Sequence, residues 1–153
     1  TASALIQLAA MVLDAGAAPA FAELAGRAGC APAMTGPLLL LPRHRARGQC
    51  FVPADLLASV GTSREEFLAG DGGQGWARAV SAMAALAREH LAAFERGAVH
   101  LPPSLRPAFL PLALTGAYLE RMQRPGFSAL TQTGRLSPLR RHWLLLRRAA
   151  KGW

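Results

Sequence analysis

Lysine is almost missing from this chain. Of its 17 Lys and Arg residues only Lys151 is a lysine. Acids are few too, nine Asp and Glu, so the formal net charge is +8 and the pI lies near 11.4. Two cysteines, Cys30 and Cys50, are too few for a disulfide scaffold and form no CxxC metal pair. β-branched residues are scarce and no apolar/polar alternation is sustained, which argues against a sheet protein. No segment approaches the roughly 20 apolar residues that a membrane-crossing helix needs. The run Leu38-Leu39-Leu40-Leu41, for example, is closed by Pro42 and Arg43. Thr1-Ala2-Ser3-Ala4-Leu5 has no initiator Met and no charged leader. It does not read as a signal peptide and fits a processed or truncated start.

What is present is apolar and helix-forming. At 153 residues, 52% apolar and 17% charged, the chain reads as one ordered domain over residues 1–153. Ala and Leu dominate, so helices are the expectation. Residues 3–14 place Leu5, Leu8, Ala9, Val12 and Leu13 on a broad apolar face, stopped by Gly16. Pro19 suits the first turn of a second helix running to about residue 28. Residues 31–41 are apolar nearly all round, which predicts a separate buried helix, kinked or late-starting at Pro37. Asp55-Leu56-Leu57 opens a short helix that Gly61 closes, and Ser63-Arg64-Glu65-Glu66 matches a capping box. Residues 70–75 are glycine-rich, match no phosphate-binding signature and read as a flexible connector. Residues 76–97 form the best helical pattern, with Val80, Met83, Ala84, Ala87, Leu91 and Phe94 in register. A further helix is expected over residues 111–124, ended by Pro125-Gly126. A last helix should open at Ser137-Pro138 and carry Trp143, Leu144 and Leu146.

Catalytic groupings are thin. His44, His90, His100 and His142 stand in no metal-ligand spacing, and no GxSxG elbow exists. Glu89-His90 reads as packing. Cys30 reads as a small core residue, and Cys50 follows a basic cluster that would lower an exposed thiol's pKa. Only Glu65 and Glu66 are adjacent acids, and no DxxxD or DxxED set occurs to hold Mg²⁺ against a diphosphate. The sequence therefore names no metal ligand and no cofactor. Cations do cluster, as Arg43-His44-Arg45-Ala46-Arg47 and as Arg140, Arg141, Arg147, Arg148 and Lys151. These read either as solvated surface or as contacts for phosphate, an acidic protein or RNA. If residues 43–47 are helical, the alternate arginines spread around the surface; if extended, they share one face. With only Phe51 nearby, single-strand stacking is poorly supported.

The stretch Gly36-Pro37-Leu38-Leu39-Leu40-Leu41-Pro42-Arg43-His44-Arg45-Ala46-Arg47-Gly48-Gln49-Cys50-Phe51-Val52-Pro53-Ala54-Asp55-Leu56-Leu57 resembles the squalene/phytoene synthase family. In that family a helix carries the second acidic motif, RDxxED, ahead of a GRxYLP-like turn, which Gly48-Gln49-Cys50-Phe51-Val52-Pro53 is similar to. Arg88-Glu89-His90-Leu91, Arg106-Pro107-Ala108-Phe109-Leu110, Tyr118-Leu119 and Leu136-Ser137-Pro138-Leu139-Arg140-Arg141-His142-Trp143 follow in the same order. The resemblance spans nearly the whole chain but only the C-terminal half or so of the family. The half with the first acidic motif is not represented.

Aligned on the turn, the second-motif acids fall near Leu40, Arg43 and His44, none of them acidic. The resemblance is therefore to a degenerate branch, that of the mitochondrial complex I assembly factor with a squalene/phytoene synthase-like domain and its bacterial relatives. That branch has a Leu-Arg-x-x-Pro-x-His segment, similar to Leu39-Leu40-Leu41-Pro42-Arg43-His44 with Leu in place of the Arg. Gly61-Thr62-Ser63-Arg64-Glu65-Glu66-Phe67-Leu68 is similar to it as well.

The expected fold is all-α, an irregular helical bundle of the isoprenoid-synthase type, as its C-terminal portion. The implied role is non-catalytic: an assembly factor or accessory subunit of a large mitochondrial complex, respiratory complex I first. The expected place is the matrix or the matrix side of the inner membrane, or the cytoplasm of a bacterium. Protein partners are expected, with rRNA contact and peripheral membrane association left open. The rival roles are a synthase fragment working with a separate N-terminal half, and a basic protein of the mitochondrial ribosome. The candidate contact residues are Leu40, Arg43, His44, Arg45 and Arg47 at the degenerate motif, and Arg140, Arg141, Arg147 and Arg148 near the C-terminus.

Overall fold

The computed structural model of the chain describes residues 1–70, 73–124, 127–129, 131–132 and 134–153. Every regular element among them is helical, so the protein is all-α. The first helix, α1, is Ala2–Leu13, with the Thr1 hydroxyl accepting from the Ala4 amide. A 3₁₀ turn, Ala18–Phe21, takes up Pro19 and leads into α2, Ala22–Leu39. The long helix α6, Gln74–Ala98, and α1 both pack against α2.

The face that α1 presents to α2 differs from the one its sequence pattern predicts. Ile6 and Ala10 are buried, whereas Leu5, Leu8 and Val12 are 70%, 62% and 86% exposed. Of the expected stripe only Ala9 packs inward. The reason lies in α2, which meets the start of α1 at Gly26 and Gly29. A Cβ on Gly29 would stand 2.3 Å from the Ser3 backbone nitrogen, and the Ser3 hydroxyl donates to the Gly26 carbonyl at 3.0 Å. Backbones this close accept Ser3 at the crossing, which turns Ile6 and Ala10 inward and leaves Leu5, Leu8 and Val12 outside.

Residues 22–39 form one helix, not the two segments separated near residue 30 that the sequence suggests. Pro32 and Pro37 lie inside it. An interior proline costs about 3 kcal/mol in an isolated helix. Here burial of Ala25, Ala28, Ala31 and Leu38 between neighbouring helices offsets that cost. The buried Thr35 hydroxyl donates to the Ala31 carbonyl at 2.8 Å, so it brings no unpaired polar group into the core. Cys30, expected in the core, is half-buried with its thiol toward the Gly26 carbonyl.

Three short helices follow: α3, Leu41–Ala46; α4, Ala54–Ser59; and α5, Arg64–Ala69. Both halves of the predicted capping box form at Ser63 and Glu66, and Gly70 ends α5 at φ 48°. Asp71 and Gly72 of the expected glycine-rich connector lie outside the described residues. In α6 the predicted register holds, burying Met83, Ala84, Ala87, Leu91 and Phe94. A short helix that the sequence pattern does not predict comes first, α7, Arg106–Phe109. The helix expected over residues 111–124 then forms as a 3₁₀ turn, Leu110–Leu112, and α8, Ala113–Met122. Pro107 and Pro111 sit in the first turns of α7 and of the 3₁₀ turn, where a missing N–H costs nothing. The expected stop at Pro125-Gly126 is outside the described residues. The last helix, α9, is Pro138–Lys151, with Ser137 as its cap.

Phe67, Phe94 and Phe109 anchor the core, Phe94 stacking on Phe109 with centroids 5.4 Å apart. Trp153 meets Phe94 edge-on at 4.6 Å and pins the residues after α9 to that core. No residue of α9 itself is buried. No helix among the described residues is long and apolar enough to cross a membrane.

Candidate functional site

Residues 43–46 are helical, which decides how the first basic cluster is displayed. The Arg43 and His44 amides donate to the Leu40 carbonyl at 2.9 and 3.0 Å, with Pro42 in the first turn. The helix ends at Arg47, and Gly48 follows at φ 64°. The arginines therefore fan out. Arg43 and Arg47, one turn apart, are exposed.

Arg45 points the other way, to the end of α5. Its Nε donates to the Leu68 carbonyl at 3.3 Å, and its Nη2 donates to the Ala69 and Gly70 carbonyls at 3.2 and 3.0 Å. The last carbonyls of a helix lack intrahelical partners and carry its negative dipole end, so a guanidinium there both bonds and neutralises them. The structure thus engages Arg45 with α5.

His44 is half-buried with its ring edge-on to Phe51, centroids 4.6 Å apart. Its Nδ1 is enclosed without a hydrogen-bond partner among the described residues. Leu40 is half-buried where α2 passes into α3. The five motif residues therefore do not converge on one pocket. An alkyl chain, a guanidinium and an imidazole do not form the oxygen-rich donor set that Mg²⁺ requires, so Leu40, Arg43 and His44 do not fit that ion.

The carboxylates are dispersed and several have local tasks. Asp14 Oδ2 accepts from the Ser104 hydroxyl at 2.7 Å and Oδ1 from the Ala17 amide at 2.9 Å. The Ser104 hydroxyl first, then the Ala17 amide, hold the Asp14 carboxyl below its ordinary value of 3.8, while slight desolvation opposes them. Glu23 pairs with Arg27, and Glu66 closes the capping box. Glu95 of α6 and Glu120 of α8 line one cleft of about 350 Å³ together with Arg88 and Gln123. That juxtaposition is invisible in sequence spacing. No group of three or more His, Cys, Asp or Glu side chains among the described residues stands close enough to hold a metal ion.

The second basic set is on α9. The Arg147 guanidinium lies 5.2 Å from the Trp143 ring centroid, and that of Arg148 lies 4.4 Å from that of Trp153. Arg147, Arg148 and Lys151 border a cleft of about 210 Å³ with Ala113 and Leu144. Arg140 is half-buried and Arg141 exposed. Sequence periodicity missed Trp153, because its contacts with Phe94 and Arg148 depend on how the chain returns to the core after α9.

Residues 1–143 match the family model described as Squalene/phytoene synthase. No curated protein and no solved structure is found to match the chain.

Proposed function

The chain belongs to the squalene/phytoene synthase family, and on that premise we propose that it is a non-catalytic member. Its role is that of an assembly factor or accessory subunit of a large mitochondrial complex, respiratory complex I first, at the matrix side of the inner membrane. One observation carries the reading. Where the family's enzymes resemble one another in placing second-motif acids, this chain has Leu40, Arg43 and His44. Positive charge there repels Mg²⁺. Nor do the surrounding elements supply a substitute. Arg45 is bonded to the end of α5, and the carboxylates Glu95 and Glu120 line a cleft between α6 and α8. The exposed pair Arg43 and Arg47 suits contact with an acidic protein surface.

The test has two arms. Purified protein incubated with farnesyl or geranylgeranyl diphosphate and Mg²⁺ is expected to release no diphosphate above background. Affinity purification from mitochondria, or from the bacterial cell if that is the source, is expected to recover respiratory subunits. Ribosomal proteins in their place would move the role to the ribosome.

One feature favours a second reading, in which the chain is half of a working synthase. The outward stripe of Leu5, Leu8 and Val12 on α1 is of the kind that another helical layer covers. Diphosphate release on adding a complementing N-terminal half would establish that reading and end the non-catalytic one.

A further inference from the structure

The geometry points to α9 as an amphipathic helix that lies in the surface of an anionic phospholipid bilayer, with Leu139, Trp143 and Leu146 entering the lipid. This goes beyond the proposed role, and it rests on different residues.

Three observations converge. The first is orientation. Leu139, Trp143 and Leu146 follow one another at four- and three-residue spacing, which places them on one side of the helix. They are 83%, 56% and 71% exposed. The side that meets the protein carries Leu144, Arg148 and the 210 Å³ cleft. The helix thus turns its apolar stripe away from the body of the protein, the reverse of a surface helix that serves its own core.

The second is charge. Residues 1–120 carry nine cations and nine acids and are neutral overall. Residues 121–153 carry eight cations and no acid, so the whole net charge of +8 lies in that part of the chain. Five of those cations are on α9.

The third is the border of the stripe. Arg147 stacks on Trp143, with His142 on the opposite flank. Long cationic side chains beside an apolar face can reach back to phosphate headgroups, and an exposed tryptophan suits the level between headgroup and acyl chain. RNA would neutralise the arginines but leave the stripe in water. A bilayer with anionic headgroups satisfies both.

The experiment uses the whole chain and vesicles. Co-sedimentation is expected with vesicles of equal parts phosphatidylcholine and phosphatidylglycerol, weakening as salt rises, and not with phosphatidylcholine alone. Acyl chains brominated near the headgroup should quench Trp143 emission, an effect lost in Trp143→Phe while Trp76 and Trp153 still fluoresce. The double variant Leu139→Gln/Leu146→Gln should lose binding with its helical circular dichroism and melting temperature unchanged, because neither side chain packs in the core. Arg147→Gln, which removes the cation beside Trp143, should weaken binding by about fivefold. Equal binding to neutral vesicles, no binding to anionic ones, or full binding by the leucine double variant would each overturn the inference. So would a lipid-free dimer in sedimentation velocity that the same double variant dissolves, which would make the stripe an interface between copies.

Discussion

The Arg45 guanidinium lies against the backbone of Gly70, donating to its carbonyl at 3.0 Å across 25 positions of sequence. The contact needs a glycine. A Cβ at residue 70 would fall 2.2 Å from Arg45 Nη2, and the φ of 48° is one that side chains rarely adopt. Arg45, one of the candidate contact residues at the degenerate motif, is thereby drawn into holding α5 against α3. Replacing Arg45 with Ala should lower unfolding stability by about 1–3 kcal/mol, the range for hydrogen bonds from a charged donor, read by urea denaturation. Arg43→Ala and Arg47→Ala should stay within about 0.5 kcal/mol of the parent. If the exposed pair contacts a partner, the Arg43→Ala/Arg47→Ala protein should lose co-purification while keeping its fold.

The α1–α2 contact predicts opposite signs for two glycines in one helix. Gly29→Ala drives a methyl into Ser3 and should cost about 1–3 kcal/mol through overpacking. Gly26→Ala meets nothing within 4 Å and should stabilise by about 0.5–1 kcal/mol through helix propensity. Thermal melts of the two variants settle it; equal effects would mean α1 does not approach α2 so closely.

Asp14 and Ser104 tie the end of α1 to the segment before α7. The folded carboxyl is held below its ordinary 3.8, so its contribution is present above that value and is lost as pH falls through the lower, folded value. Ser104→Ala should bring the Asp14 titration, followed by NMR, back toward 3.8. The stability difference between parent and variant should shrink in the acid range. A variant whose Asp14 titrates unchanged would refute the assignment to Ser104.

Trp153 joins α9 to the rest of the protein. Phe94→Ala removes the ring that both Phe109 and Trp153 rest on, and should cost about 3–5 kcal/mol. Trp153→Ala should cost less. Its effect should appear as faster hydrogen exchange in α9 than in α6, because no residue of α9 is buried by itself.

Local chemistry was legible in the residues alone. Ser63 with Glu66, Ser137 with Pro138, Gly61 and the apolar register of α6 act over one or two turns, so their spacing suffices to place them. The absence of acids around residues 40–44 is likewise a matter of sequence, and so is the all-helical class that Ala and Leu favour. Other features depended on what stands across the interface. The pattern of α1 read as one broad apolar face through Leu5, Leu8 and Val12, and the close approach of Ser3 to Gly29 of α2 turned Ile6 and Ala10 inward in their place. Pro37 read as a kink or a late start, yet burial on both sides of α2 carries one helix through it and through Pro32. The alternate arginines at 43, 45 and 47 left helix and strand displays open, and α5 took the middle one. Sequence determines which conformations each segment can adopt. Tertiary packing decides which of them is used, because the energy of burying a face or capping a distant helix end is a property of two surfaces, and a segment carries only one of them.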